Sequence, residues 1–198
     1  DEKGISWTGH YWEHSWPNVT GVIDNMSMAA WQQTPGIDML CNQFNEKDVH
    51  AQFGNIRSVK EVRSIANQLG RQRVLSETYG AAGWEATFKD MKRLADWQMV
   101  LGVNLVNQHV GHMSLDGVRK FDYPPMFTRA ASWWENYHVL NDYIARICTV
   151  MSLGEQVNDI LVMKKEHPCG AKQWLVLRSG MDFRLRCTGC GHELMIPR

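Results

Sequence analysis

The sequence predicts an α/β protein in which short apolar strands alternate with amphipathic helices. Two observations support this fold class. Five β-favouring segments alternate with four stretches whose apolar residues recur at helical spacing, which is typical of parallel βαβ units. In addition, each of the first four strands ends in polar side chains. Because the carboxyl ends of parallel strands share one edge, we expect these side chains to lie together, as they do in α/β barrels.

The strands and helices follow one another over residues 5–163. Aromatic and β-branched residues indicate the strands, and apolar residues three or four positions apart indicate the helices. The expected strands are 5–12, 36–41, 73–77, 103–106 and 157–163, and the expected helices are 22–33, 58–69, 87–101 and 133–153.

Local signals place several helix ends. Ser58 and Glu61 have the spacing of a capping box, so we expect a helix to begin at Ser58. Thr87 is expected to begin the next helix, and Gly70 and Gly102 are expected to end the two. These boundaries leave only short connections between each helix and the next strand.

The strand within 73–80 carries Glu77 directly to its end, before the turn 80–83. A carboxylate in this position is how an α/β barrel presents a catalytic acid or base. The alternative is that Glu77 caps a helix or forms a surface ion pair. The other three strand ends carry His10 with Glu13, Asn42 with Gln43, and Asn107 with Gln108 and His109. The recurrence of polar ends favours the active-site interpretation.

Composition narrows the classes of function. The 198 residues suffice for one sizeable core, or for a core and a small module. The formal net charge is zero, so we expect no general attraction to nucleic acid. No apolar run approaches the roughly 20 residues of a membrane helix, and we expect no membrane partner. Since Asp1 is not an initiator Met, we expect a mature product or a fragment. Nine Trp residues serve either core packing or sugar binding.

Three of the five cysteines lie within the last 30 residues. Cys169, Cys187 and Cys190 are accompanied by His167 and His192, a distribution more typical of a metal site than of disulfides. Three thiolates and one imidazole would complete the tetrahedral shell that zinc prefers. Free reduced thiols and a redox role are the alternatives. The two other cysteines, at 41 and 148, are expected to be small buried hydrophobic residues.

Six collinear segments carry a likeness to a known family. They include Thr-Gly-His-Tyr-Trp-Glu-His at 8–14 and Leu-Ser-Glu-Thr-Tyr-Gly at 75–80, together with 35–40, 52–61, 96–104 and 141–143. Over residues 5–160 the chain thereby resembles glycoside hydrolase family 106, the α-L-rhamnosidases. The resemblance implies a (β/α)8 barrel that releases rhamnose from polysaccharides with inversion, with calcium nearby. It implies only the last four βα units of that barrel.

The resemblance also assigns roles. Glu77 is expected to be a catalytic carboxylate, and Glu13 is the second choice, although the true partner can lie upstream of Asp1. The expected substrate is a rhamnose-containing oligosaccharide or polysaccharide. Its expected contacts are His10, Trp12, Asn42, Gln43, Tyr79, Trp84, Asn107 and His109. Because half a barrel leaves strand edges unpaired, we expect self-association or an open sheet.

From about residue 157 the chain is similar to a different family, one of small bacterial cytoplasmic proteins. The matching residues run through His-Pro-Cys-Gly at 167–170 and Cys-Thr-Gly-Cys-Gly-His at 187–192 to the end of the chain. We therefore expect a barrel-like domain at 1–156 and a small β-rich module at 157–198. Residues 174–177 and 183–186 are its expected strands. A module this small needs a staple such as zinc.

Three functions follow from these expectations. The first is an α-L-rhamnosidase-like hydrolase, inactive if its barrel is incomplete. The second is a non-enzymatic zinc-binding module, and the third is a chimeric chain without an evolved activity. Localisation is expected to be cytoplasmic because the thiols need reducing conditions, or exported if the glycosidase part derives from a longer secreted precursor.

Overall fold

A computed structural model describes residues 4–10, 25–39, 49–153, 160–162, 166–178 and 182–197. The helices and strands form a mixed α/β fold with two separate four-stranded sheets. In chain order they are β1 (Thr8–Gly9), α1 (Asn25–Ala29), β2 (Thr34–Met39), α2 (Val49–Gln68), β3 (Leu75–Thr78), α3 (Phe88–Leu101), β4 (Leu105–Gln108), α4 (Tyr137–Ser152), β5 (Ile160–Val162), β6 (Gln173–Arg178), β7 (Asp182–Cys187) and β8 (Glu193–Pro197). Within these residues, no helix is both long and apolar enough to cross a membrane.

The first sheet is parallel throughout, with the strand order β1-β2-β3-β4. This confirms the α/β fold class and the parallel alternation predicted from the sequence. Strands β2, β3 and β4 are in register, so that Asp38, Glu77 and Asn107 form one row across them. The carboxyl ends of these strands therefore share an edge of the sheet.

The two faces of this sheet differ in burial. On one face, Ile37, Met39, Ser76 and Thr78 are buried. The row of Asp38, Glu77 and Asn107 lies on the other, more exposed face. Since side chains alternate between faces along a strand, the burial of one set leaves the other set available to a ligand.

The predicted boundaries of α3 are confirmed. Thr87 accepts a hydrogen bond from the Asp90 backbone N–H, and the Asp90 carboxylate accepts one from the Thr87 backbone, which together make a capping box. Gly102 ends the helix with φ 123°, a conformation that glycine adopts without strain. The following strand, β4, begins two residues later than predicted and therefore contains Asn107 and Gln108.

The predicted start of α2 is wrong. The helix begins at Val49 rather than at Ser58, and Ser58 lies buried within it. Glu61 does not cap a helix end; its carboxylate accepts a 2.5 Å hydrogen bond from Arg57, one helical turn earlier. The capping-box pattern has only two defining positions, so it also occurs by chance inside helices. Gly70, with φ 65°, does follow the end of the helix as predicted.

The segment predicted as a fifth strand of the parallel series belongs elsewhere. β5 pairs antiparallel with β6, and the second sheet has the order β5-β6-β7-β8. The two predicted strands of this region are confirmed as β6 and β7, and Trp174, Leu185 and Cys187 form their buried cluster. β8 was not predicted, because its five residues end in a proline and look like a tail.

The other predicted elements are shorter in the structure. The described part of the strand predicted at 5–12 contains only β1, and residues 11 and 12 lie outside the described residues. The helix predicted at 22–33 is α1, which ends at Ala29. The long helix predicted at 133–153 is α4, preceded by a short 3-10 helix at Trp134–Asn136.

Candidate functional site

Glu77 lies at the carboxyl-terminal edge of the parallel sheet, between two imidazole rings. His10 Nε2 is 3.3 Å from Glu77 Oε2, and His109 Nε2 is 3.9 Å from Glu77 Oε1. His10 follows β1 and His109 follows β4. Residues next to the two outer strands of the sheet therefore converge on Glu77, which lies on the inner strand β3. The Glu77 side chain is 24% exposed. It is therefore accessible to a ligand, while His10 approaches one of its oxygens at 3.3 Å and His109 flanks the other at a distance too long for a hydrogen bond.

β1 and β2 approach each other closely at Gly36. A Cβ at Gly36 would lie only 2.5 Å from the backbone oxygen of Gly9, so this position requires glycine. Gly36 is paired with Leu75, two residues before Glu77, on the same face.

Asp38 is a candidate site residue that the sequence reasoning missed. It is the neighbour of Glu77 on β2 in the row across the sheet, and Asn107 is the neighbour on β4. A signal for it exists in the sequence, because Asp38 interrupts the apolar strand formed by its neighbours Ile37 and Met39. The row thus presents two carboxylates and one amide at the edge of the sheet.

A buried polar network fixes the backbone on which Glu77 sits. Gln98 on α3 is fully buried and donates a 3.0 Å hydrogen bond to Thr78 Oγ1. Its amide oxygen also accepts a hydrogen bond from Ser76, and the Ser76 and Thr78 hydroxyls are 2.8 Å apart. Satisfied buried networks of this kind make a local conformation unique. The residues on either side of Glu77 are therefore anchored behind the sheet.

The remaining predicted substrate contacts are distributed unevenly. Tyr79 is fully buried and its ring packs on Phe127 at 5.8 Å, so it does not join the exposed group around Glu77. Trp84 is partly exposed and donates a 2.7 Å hydrogen bond to the Lys120 carbonyl. The other predicted residues lie outside the described part of the chain: Trp12, Glu13, Asn42 and Gln43.

The cysteines near the end of the chain form a second candidate site. His167 Nδ1 lies 3.1 Å from Cys169 Sγ and 3.5 Å from Cys190 Sγ, and the Cys169 and Cys187 sulfurs are 3.5 Å apart. All four ligand atoms lie within 4.8 Å of one another. Zinc–sulfur bonds of about 2.3 Å in a tetrahedron would place the sulfurs at similar separations. The group can therefore hold a metal ion.

The fourth member of this group is His167 rather than His192. The His192 ring stacks on the His167 ring, with centroids 5.4 Å apart, and the His192 carbonyl accepts a 2.8 Å hydrogen bond from Cys187 N. Through these two contacts His192 supports His167 and Cys187. The sequence reasoning proposed the two histidines equally; the geometry separates them.

The thiols of the group do not ionise alike. Burial raises the pKa of Cys187, but hydrogen bonds from the Cys190 and Gly189 backbone N–H groups and from the neighbouring thiols outweigh it and lower the pKa. For Cys169, the Ala171 backbone N–H favours the thiolate, yet desolvation and the neighbouring cysteines raise the pKa overall. Adjacent thiolates repel each other, and a bound cation would relieve that repulsion.

Comparison with known proteins identifies two families along the chain. Residues 3–175 match the model described as alpha-L-rhamnosidase. Residues 155–198 match the model described as bacterial protein of unknown function (DUF951). The two matches overlap at 155–175, the region that contains β5. They confirm both resemblances inferred from the sequence.

Individual proteins agree with these matches. The solved structure of rhamnosidase from Novosphingobium sp. PP1Y superposes with a TM-score of 0.56 and 27% identity over 69% of this chain. The uncharacterized protein YyzM of Bacillus subtilis (strain 168) is 60% identical over 42 residues, which are 21% of this chain and 62% of that protein. The chain covers only 13% of the Novosphingobium rhamnosidase.

Proposed function

The chain belongs to the alpha-L-rhamnosidase family, and from this premise we propose that Glu77 is a catalytic carboxylate for the hydrolysis of terminal α-L-rhamnosides. The observation that carries the proposal is the convergence of His10 and His109 on the two oxygens of Glu77. A strand-end carboxylate that one imidazole approaches at 3.3 Å and a second one flanks is positioned for proton transfer.

Inverting hydrolysis needs two carboxyl groups. One donates its proton to the glycosidic oxygen as the C1–O bond breaks, and the other accepts a proton from the water that attacks C1 on the opposite face. Glu77 supplies one of these groups. Their usual separation is roughly 6.5–9.5 Å, whereas neighbouring strands are about 4.8 Å apart. Asp38 is therefore better suited to binding a sugar hydroxyl than to the second catalytic role, for which Glu13 remains the proposed residue.

The two histidines orient the carboxylate and contact the sugar. The His10 imidazole lies 3.3 Å from Glu77 Oε2, which restrains rotation of the carboxylate, and the His109 imidazole lies beside Oε1 at 3.9 Å. Asn107, the neighbour of Glu77 on β4, adds an amide donor and acceptor for a sugar hydroxyl. Calcium, which the family resemblance suggests, takes six to eight oxygen ligands. Among the described residues, the carboxyl-terminal edge of the parallel sheet offers two carboxylates, one amide and two imidazoles. This set of ligands fits calcium poorly, so no step is assigned to calcium.

Rhamnose release from a pair of anomers tests this function. The protein is expected to release L-rhamnose from methyl or aryl α-L-rhamnosides and not from the β-anomers. The reason is that the acid must lie on the side of the leaving group and the base on the opposite face of the sugar ring. The measurement is free rhamnose over time by chromatography. Equal release from both anomers, or none from the α-anomer, would refute the proposal.

We also propose that the parallel sheet is part of a (β/α)8 barrel whose other strands come from elsewhere. Within the described residues, β4 pairs only with β3, and Leu105 on it is exposed. An unpaired edge with apolar side chains favours association. The protein is therefore expected to elute as a dimer or larger species in size-exclusion chromatography with light scattering. A strictly monomeric protein across micromolar concentrations would contradict the barrel-fragment proposal.

A second proposed function concerns the C-terminal sheet, which we propose to be a structural zinc module. The close group of His167, Cys169, Cys187 and Cys190 favours it. Among the residues of this sheet whose burial the structure describes, Trp174, Leu185 and Cys187 form the buried cluster. A closed four-ligand site would join the segment before β6 to the end of β7 and to the turn that follows it.

A further inference from the structure

A small groove lies between two loops beside the parallel sheet. One loop follows β3 and contributes Ala81 and Gly83; the other precedes α4 and contributes Phe121, Tyr123 and Pro124. The volume of the groove is about 250 Å³. That is somewhat below the roughly 300–1,000 Å³ of sites for drug-sized ligands, and it suits a single ring.

Two hydrogen bonds hold these loops together. Gly83 N donates to the Pro124 carbonyl at 2.9 Å, and Trp84 Nε1 donates to the Lys120 carbonyl at 2.7 Å. A groove whose walls are joined in this way is preformed. A ligand that enters it does not have to order the loops first.

Backbone strain is concentrated at the same place. Across the described ranges, the non-glycine residues with positive φ are Tyr79 (78°), Ala81 (57°) and Tyr123 (49°). Two of them line the groove, and the third directly follows β3. Left-handed conformations are costly for such residues and cluster at ligand-binding sites. The strain is therefore an observation independent of the groove volume.

The groove lies near the site around Glu77 and is linked to it through Tyr123 and His109. The ring of Tyr123 lies 5.9 Å from the ring of His109, and His109 Nε2 lies 3.9 Å from Glu77 Oε1. One aromatic contact thus separates the groove from the carboxylate. A ligand ring bound in the groove would therefore lie next to a sugar whose glycosidic bond is at Glu77.

The residues that line the groove are uncharged, and its aromatic walls are open to solvent, although the Lys120 ammonium lies 5.3 Å from the centroid of the Phe121 ring. Phe121 is 74% exposed and Tyr123 is 51% exposed. Exposed aromatic rings next to a catalytic carboxylate favour a neutral ligand with a flat apolar face. A pyranose ring offers such a face through its C–H groups, and its hydroxyls remain at the open side.

We propose that Phe121 and Tyr123 bind the sugar ring to which the rhamnosyl unit is attached, so that the preferred substrates are α-L-rhamnosyl disaccharides or longer glycans. This rests on the proposed function, since the rhamnosyl unit itself occupies the edge at Glu77. Tyr123 and Phe121 are specificity residues in this scheme. They hold the leaving sugar and take no part in proton transfer.

Calorimetric binding of two sugars tests the inference, with Glu77→Gln as the background for every variant because the unmodified protein is expected to hydrolyse both sugars. An α-L-rhamnosyl-glucose disaccharide is expected to bind about tenfold more tightly than methyl α-L-rhamnoside, the gain that a ring contact of this size provides. Phe121→Ala and Tyr123→Ala are each expected to remove that gain. Phe121→Ala is also expected to leave the affinity for methyl α-L-rhamnoside unchanged, whereas Tyr123 packs beside His109, so its variant is judged by the ratio of the two affinities. Val118→Ala, an equally exposed change in the same loop, serves as the matched control and is expected to keep the gain.

The outcomes separate the inference from the proposed function. If methyl α-L-rhamnoside binds and the disaccharide binds no more tightly, the groove does not bind the second sugar ring and only the inference fails. The same holds if the gain survives both aromatic substitutions, or if Val118→Ala removes it as well. If neither sugar binds, both the proposed function and the inference fail. Thermal unfolding of each variant verifies that it is folded.

Discussion

Glu77→Gln is expected to lower the rate of rhamnoside hydrolysis by roughly 10²–10⁴-fold, the contribution typical of a positioned acid or base. The amide keeps the size and most hydrogen-bonding capacity of the carboxylate but cannot transfer a proton in the same way. Glu77 is not part of the buried core, so the change should leave the protein folded. Initial rates with an aryl α-L-rhamnoside, together with thermal unfolding, provide the measurement.

The matched control is Glu135→Gln, which removes an exposed carboxylate from the short 3-10 helix before α4. It is expected to change the rate by less than about twofold. Methyl α-L-rhamnoside should still bind to Glu77→Gln, because His10, His109 and Asn107 remain. An unchanged hydrolysis rate in Glu77→Gln would show that Glu77 is not catalytic.

Removal of the metal is expected to unfold the C-terminal sheet. The apparent free energy of structural zinc binding at neutral pH is roughly 10–16 kcal/mol, and a module this small depends on such a staple. Elemental analysis should find about one zinc per chain, and chelation should abolish the near-ultraviolet dichroism of Trp174. Cys187→Ser should have the same effect as chelation, since it removes the buried ligand.

Three comparisons sharpen this prediction. Cys148→Ser changes a cysteine that packs in the core of the first sheet near Met99 and should retain zinc. His167→Ala should weaken zinc binding far more than His192→Ala does. Because the ligands must be deprotonated, the affinity should fall as pH is lowered. Zinc at less than about half an equivalent per chain, in protein purified under reducing conditions, would argue against the closed four-ligand site.

The sequence was sufficient for the parts of the fold that local chemistry determines. The Thr87 capping box and Gly102 at the end of α3 depend only on neighbouring residues, and both are confirmed. Glu77 at the end of β3 was predicted from an apolar run followed by a glycine-rich turn. The meeting of His10 and His109 at Glu77 followed from the parallel order of the strands.

Other features depend on pairing partners that a local pattern does not reveal. The pairing of β5 with β6 is set by the second sheet, not by the alternation that precedes it. Asp38 was missed because its importance comes from its register with Glu77 across β2 and β3. The groove beside Tyr123 was missed for a similar reason, since two loops distant in sequence form its walls.

The most direct test of the account is the release of L-rhamnose from an α-L-rhamnoside by the unmodified chain, measured beside the β-anomer and beside Glu77→Gln. The account predicts release from the α-anomer alone and its loss in Glu77→Gln. Rhamnose release that is absent, equal for both anomers or unaffected by Glu77→Gln would contradict it.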